Sequence, residues 1–205
     1  RTYALSKLES AMMPAIQVGL LVLVVTAPAF IFFSQKGPGA MHAPWLISLA
    51  AGLVVGGLSQ VSRLCTVGGF RDLFLFKKSI LIFGYLAVLV GVFVVNISFG
   101  NFHLGFENQP IAHTDGLWNF LGMALAGFCS VLLGGCPLRQ LIMTGEGNSD
   151  SAVTVLGLAA GAAFAHNFGL AASGAGPTLN GQIAVGVGFV VALIIAVVNT
   201  KRATA

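Results

Sequence analysis

Six long stretches of the chain carry no Asp, Glu, Lys or Arg: Pro14–Phe33, Pro44–Ser62, Ile80–Phe99, Gly116–Gly135, Ala152–Ser173 and Gly181–Val198. Each approaches or exceeds the roughly 18–20 residues that a helix, rising about 1.5 Å per residue, needs to cross the hydrocarbon layer. Lipid offers no water to loose backbone groups, so runs this rich in Leu, Val, Ala and Gly predict helices. The expected fold class is an all-α integral membrane protein, with about six hydrophobic helices joined by short polar connections.

Composition agrees and removes the alternatives. Hydrophobic residues make up 57% of the 205 positions and charged residues 8%, where a soluble domain carries about 25% charged. The first run is too long for a signal-peptide core, and five more follow it. Arg1 stands where Met would open a complete chain, which suggests a processed or excised sequence. The formal charge of +4 sits in short loops beside apolar runs and forms no basic face with interleaved aromatics, so nucleic acid is not an expected partner. Cys65, Cys129 and Cys136 form neither a disulfide framework nor a C-x-x-C pair. Cys/His spacing suits no metal site, and neither metal nor cofactor is expected.

Loop charges suggest a topology. Arg1 and Lys7 precede the first run, Arg63, Arg71, Lys77 and Lys78 separate the second from the third, and Lys201 and Arg202 follow the last. The Gly100–Asp115 connection holds Glu107 and Asp115 but no Lys or Arg, and Ser173–Gly181 is uncharged. With six spans, the excess of basic residues on cytoplasmic loops places both termini in the cytoplasm of a multi-pass inner-membrane protein. Lys36 is the basic residue on the wrong side, and a re-entrant segment would change the parity.

An imperfect internal repeat runs through this single transmembrane domain, residues 1–205. One copy, about residues 45–79, leads from Trp45 through Gly56-Gly57 to Cys65 and on to Gly68-Gly69-Phe70-Arg71-Asp72. The other, about 118–152, leads from Trp118 to Gly134-Gly135-Cys136-Pro137-Leu138-Arg139. Both read as a helix rich in small residues, then cysteine, then arginine. Membrane transporters commonly build one central site from such repeats, with helices that break near mid-membrane; the cysteine-bearing helices are therefore candidates to be broken or re-entrant.

The candidate pathway residues are Cys65, Cys136, Arg71, Arg139, Gly68, Gly69, Gly134 and Gly135. Glycines let the backbone turn or approach a ligand, and cations beside a thiol attract anions. Against this stands a plain helix end at the membrane surface, with a glycine C-cap and basic residues facing lipid phosphates. Pro137 removes a backbone donor, so a break at Cys136 would free groups that must line a polar cavity or be buried in protein. Thr66, Cys129, His166 and Asn167 are weaker candidates. Cys129 lies seven residues before Cys136, two turns along one helix face at about 10 Å, and reads as packing. His166-Asn167 falls at membrane depth and reads as functional or as an interhelical hydrogen bond, as does Asn96 in the tamer sense. His42, His103 and His113 are expected in solvated loops. Asn148, Ser149 or Asp150 can cap the next helix.

The segments SRLCTVGGFRDLFLFK and LLGGCPLRQLIMTGEGNSDSA resemble the signature segments of the YeeE/YedE family of sulfur-transport membrane proteins. The latter segment is most similar to the YedE branch tied to selenium metabolism. The resemblance covers about residues 45–152 by motif. It implies uptake of thiosulfate-like anions past membrane cysteines, with Cys65 and Cys136 matching the motif cysteines and Cys129 not. It also implies a small cytosolic sulfur-carrier protein as partner. Full-length members are similar to two such halves joined, so the chain resembles one half or a short form that pairs, with a second half or as a homo-oligomer.

The favoured function is a permease for a small sulfur- or selenium-containing anion, drawn in by arginines and half-helix N-termini and passed along weak thiol donors. The rival is an intramembrane thiol enzyme relaying sulfane sulfur or disulfide electrons between Cys65 and Cys136. A purely structural subunit would explain neither cysteine motif.

Overall fold

The computed structural model describes residues 7–26, 43–106 and 113–204. Arg1, Lys36, His42 and Glu107 lie outside the described residues, as do the side chains of Lys7, Lys201 and Arg202. Among the described residues the chain forms eight helices: α1 (Lys7–Thr26), α2 (Trp45–Ser62), α3 (Thr66–Phe76), α4 (Ile80–Ser98), α5 (Gly116–Leu132), α6 (Pro137–Gly145), α7 (Ser149–Asn167) and α8 (Leu179–Thr204). Six of them correspond to the six apolar runs. The other two, α3 and α6, are short helices that follow the cysteines, as expected of broken cysteine-bearing helices.

Among the described residues, four stretches are long and apolar enough to cross a membrane: Trp45–Phe76, Ile80–Ser98, Gly116–Gly145 and Leu179–Thr200. The first and third each contain a long helix, a break and a short helix. The long members α2 and α5, of 18 and 17 residues, reach about 25 Å at 1.5 Å per residue, whereas α3 and α6, of 11 and 9 residues, reach roughly half a bilayer core. The all-α membrane architecture stands, with its cysteine-bearing helices broken.

The backbone divides into two compact units. One holds α1, α2, α6 and the opening turns of α7; the other holds α3, α4, α5, the rest of α7 and α8. In the second unit α3 packs on α4 and α5, and α5 on α8. At two of these contacts a glycine sets the approach, while Phe70 of α3 and Tyr85 of α4 also meet, with ring centroids 6.2 Å apart. A Cβ added at Gly69 would stand 3.3 Å from the Ile82 backbone nitrogen and 3.4 Å from the Leu81 carbonyl carbon, so α3 and α4 approach backbone to backbone. Gly188 of α8 likewise leaves room for Leu125 of α5, whose Cδ2 would lie 2.6 Å from such a Cβ.

Burial runs opposite to that of a soluble protein. The buried residues include Cys65, Cys136, Ala152 and Ala192, together with the polar Ser59, Ser130, Gln140, Thr144 and Ser151, while most Leu, Val, Ile and Phe side chains face outward. Lipid tails are as apolar as leucine and supply no hydrophobic force between helices, so close approach of small residues and hydrogen bonds hold the bundle. The buried hydroxyls of Ser130 and Thr144 are satisfied within their own helices, donating to the Ala126 carbonyl at 2.7 Å and to that of Gln140 at 2.8 Å.

The α3–α4 contact is open to a direct test. Gly69→Leu overpacks it and is expected to destabilise by about 1–3 kcal/mol, read as a lower unfolding temperature in detergent. Gly91→Leu on α4, where no atom lies within 4 Å of the added Cβ, is expected to stay within about 0.5 kcal/mol of the parent.

Candidate functional site

The two cysteine segments share a backbone plan. In the first, α2 stops at Ser62, Arg63 turns into the left-handed region at φ 52°, Leu64 follows, and Cys65 precedes the first residue of α3. In the second, α5 stops at Leu132, Gly134 turns at φ 77°, Gly135 follows, and Cys136 precedes Pro137, the first residue of α6. Each break thus runs from a left-handed residue, through one residue, to the cysteine and a new helix. The outgoing helix is closed by its own backbone: Arg63 N–H donates to Gln60 O at 3.3 Å, and Gly135 N–H to Ser130 O at 3.1 Å. Pro137 suits the first helical position, where its missing N–H would have had no partner.

Glycine adopts the turn at position 134 without a Cβ penalty, whereas Arg63 accepts one of about 1–2 kcal/mol. Its cationic side chain starts at the negative end of α2, which offsets part of that cost. The sequence pattern points to a glycine C-cap at Gly68-Gly69. The structure moves the cap back to Arg63 and puts both glycines, buried, inside α3.

Cys65 is the N-cap of α3. Its Sγ accepts a hydrogen bond from the Gly68 N–H at 3.2 Å, filling one of the four donors that a helix start leaves open. A Cβ on Gly68 would sit 3.2 Å from Cys65 Cβ and 3.3 Å from its Sγ. The glycine therefore lets the thiol fold down onto the helix start. Cys65 and Cys136 are both buried, at 7% and 6% exposure, and none of the three cysteines is in a disulfide. Cys129 is half-buried in α5. The turn at Gly134 separates it from Cys136, so the seven-residue spacing does not run along one helix face.

Gly68, Arg71 and Phe74 from the first motif and Gly127, Val131 and Gly134 from α5 and its end line one cavity of about 440 Å³. Thr66, the first residue of α3, is half-buried beside it in sequence. Arg71 presents Nε and Nη2 to the same Asp72 carboxylate oxygen, at 3.0 and 2.9 Å. Arg139 is held differently. Its Nη1 is buried 3.4 Å from Glu146 Oε1, without hydrogen-bond geometry. Arg71 falls six residues after Cys65 and Arg139 three after Cys136, so the arginines do not share the plan that the backbones share. In the other unit, Gly56, Gln60, Leu141, Gly145 and Glu146 line a cavity of about 760 Å³.

The remaining candidates fall elsewhere. His166 and Asn167 lie at the end of α7, and Asn167 donates its amide to the Ala163 carbonyl of its own helix at 2.8 Å, not to a neighbour. Asn148 accepts from the Ser151 N–H at 2.9 Å and is the cap of α7 that the turn-rich sequence suggests. His113 is half-buried, with Nδ1 shut away from solvent. This differs from the solvated loop position expected of it; a lone histidine in a loop gives no periodic signal of burial.

Separating the structural from the chemical role of Cys65 is straightforward. Serine is a strong N-cap and alanine a poor one, a difference of about 1 kcal/mol. Cys65→Ala is expected to lose roughly that much stability and Cys65→Ser little, in detergent unfolding curves followed by circular dichroism.

Residues 61–203, more than half of the chain, match the family described as Sulphur transport. The thiosulfate transporter TsuA of Escherichia coli (strain K12) is 29% identical over 111 residues, which cover 52% of this chain and 30% of that protein. The match thus spans less than a third of the relative's length. No solved structure matches the chain. With both cysteine-bearing breaks, at Arg63–Cys65 and Gly134–Cys136, inside the matched region, the chain belongs to the sulphur transport family.

Proposed function

We propose that the protein is a membrane permease for a small sulfur-containing anion of the thiosulfate type, passed through the cavity where its two cysteine motifs meet. The observation that carries this reading is the shared cavity. Gly68 and Arg71 of one motif and Gly134 of the other line it, and α3 begins at its edge with a cysteine as cap. A helix start concentrates free N–H groups and the positive end of the helix dipole, which favours an anion. A thiol is a weak donor to a soft sulfur atom, and weak partners suit a path that must release what it binds. Membership of the sulphur transport family and the thiosulfate-transporting relative support the same substrate class.

In this reading Cys65 and Cys136 are the pathway thiols, and Gly68, Gly69, Gly134 and Gly135 permit the breaks that expose them. Arg71 and Arg139, each already paired with a carboxylate, set the local potential and act as no free anion trap. Thr66 adds a hydroxyl at the start of α3. Cys65 and Cys136 flank the cavity in sequence, next to its lining residues Val67 and Gly68 and Gly134, without being among the lining residues themselves. Cys129 lies inside α5 and His166 and Asn167 at the end of α7, and we assign these three packing and helix-end roles. The two copies, about 45–79 and 118–152, form one pathway domain in an inner membrane with both termini cytoplasmic. A second half or second copy covers the exposed side, because a cavity holding an arginine at 55% side-chain exposure is costly against lipid. A small cytosolic sulfur carrier takes over the delivered solute.

Uptake of radiolabelled thiosulfate into proteoliposomes or expressing cells tests the proposal, with selenite as the competing substrate. Cys65→Ser and Cys136→Ser are expected to keep partial uptake, and the double alanine variant to lose most of it. Full transport by the double alanine variant defeats the thiol pathway. A persulfide on either cysteine that turnover requires, seen by mass spectrometry, would replace it with the thiol-enzyme reading.

A further inference from the structure

A second cavity, of about 260 Å³, lies at the opposite end of α5, in the same unit as the cysteine-motif cavity. His113, Trp118, Asn119 and Met123 form one side, and Leu170, Pro177 and Gly181 the other. It therefore joins the connection before α5 to the connection before α8. Neither of these connections contains Lys or Arg, so loop charge places both on the same side of the membrane.

Around this cavity the neighbouring polar groups are taken. Asn119 donates its amide to the His113 carbonyl at 3.1 Å, and the Asp115 carboxylate accepts the Trp118 N–H at 3.4 Å. Thr178 accepts from the Gly181 N–H at 2.9 Å and donates to the Gly169 carbonyl at 2.7 Å. The wall at Gly181 is tight, since a Cβ there would meet the Leu170 oxygen at 2.5 Å. His113 Nδ1 is the exception: it is buried and has no hydrogen-bond partner among the described residues. A buried polar atom left unpaired in a native protein costs stability and calls for a missing partner.

We propose that this cavity is an outer binding subsite for the transported anion, with His113 Nδ1–H as its hydrogen-bond donor; the proposal rests on the permease reading above. An anion is favoured by the first turns of α5 and α8, which both reach the cavity, through Trp118 and Asn119 and through Gly181, and bring the positive ends of their helices. The Asp115 carboxylate that caps α5 offsets part of this at that helix.

The subsite also connects with the cysteine cavity. Asn119, Met123, Gly127 and Val131 are spaced four apart and form one ridge of α5. Asn119 and Met123 line the outer cavity, and Gly127 and Val131 line the inner one. The ends of this ridge are about 18 Å apart along the helix. One helix face thus leads from the histidine to the cysteine motifs.

Trp118 in the wall provides the probe. In a Trp45→Phe background it is the one remaining tryptophan, and thiosulfate is expected to change its fluorescence saturably in purified protein held in nanodiscs. His113→Phe keeps the ring but removes the donor, and should raise the half-saturating concentration of both binding and uptake about tenfold, the equivalent of one charge-assisted hydrogen bond. His113→Asn places an amide near the Nδ1 position and should restore most of that loss. Cys136→Ala should leave the Trp118 response intact even where uptake is lost, so failure of the cysteine pathway and failure of the subsite are distinguishable. A protein that transports thiosulfate with a silent Trp118 overturns the proposal. So does an equal response to chloride at the same ionic strength, or a His113→Phe protein with unchanged half-saturation.

Discussion

Everything at the centre of this protein depends on one requirement: inside a bilayer, each backbone N–H and C=O must find its partner within the protein. A continuous helix meets it without effort. This chain interrupts two helices inside apolar stretches, and each break must be closed locally. Arg63 and Gly134 turn into the left-handed region so that the last carbonyls of α2 and α5 receive N–H donors from just beyond the helix. At the start of α3 the Cys65 sulfur takes up an N–H that would otherwise be loose. The cysteine is thus a structural cap as well as a thiol, and its position is a consequence of where the helix restarts.

That restart shapes the electrostatics. The arginines that stand out in the sequence are neutralised by carboxylates close by in the chain, Arg71 by Asp72 and Arg139 by Glu146. Paired in this way, their charge is largely offset within the chain. The N-terminal turns of α3, α5 and α8 reach cavities in the same unit, that of α5 capped by the Asp115 carboxylate. In the permease proposed above, such backbone partial charges attract the anion without the deep well that an unpaired guanidinium would make.

Packing follows from the same solvent. The exterior is Leu, Val, Ile and Phe, and the places where helices touch are rich in glycine, alanine, serine and cysteine. Gly69 brings α3 against the α4 backbone at Leu81 and Ile82 at a distance that leaves a larger side chain little room, and Gly188 of α8 makes space for the Leu125 side chain of α5. The site is built on these contacts, because α3 carries Gly68 and Arg71, with Cys65 as its cap, while α5 carries the ridge that faces both cavities.

The amino-acid sequence by itself determined the membrane class and the six apolar runs, since charge-free stretches of this length have no other stable form in lipid. It also marked Cys65 and Cys136, because the same small-residue, cysteine and arginine order occurs twice. Three things were decided only by the tertiary structure. The extents of the short helices α3 and α6 were hidden because their basic residues read as loop signals, whereas local ion pairs let those residues sit on helices. The true cap at Arg63 was hidden because a non-glycine residue at positive φ leaves no compositional mark. The His113 cavity was hidden because it joins residues more than fifty positions apart, and closeness across such a separation arises from how α5 packs on α8, which no local pattern encodes.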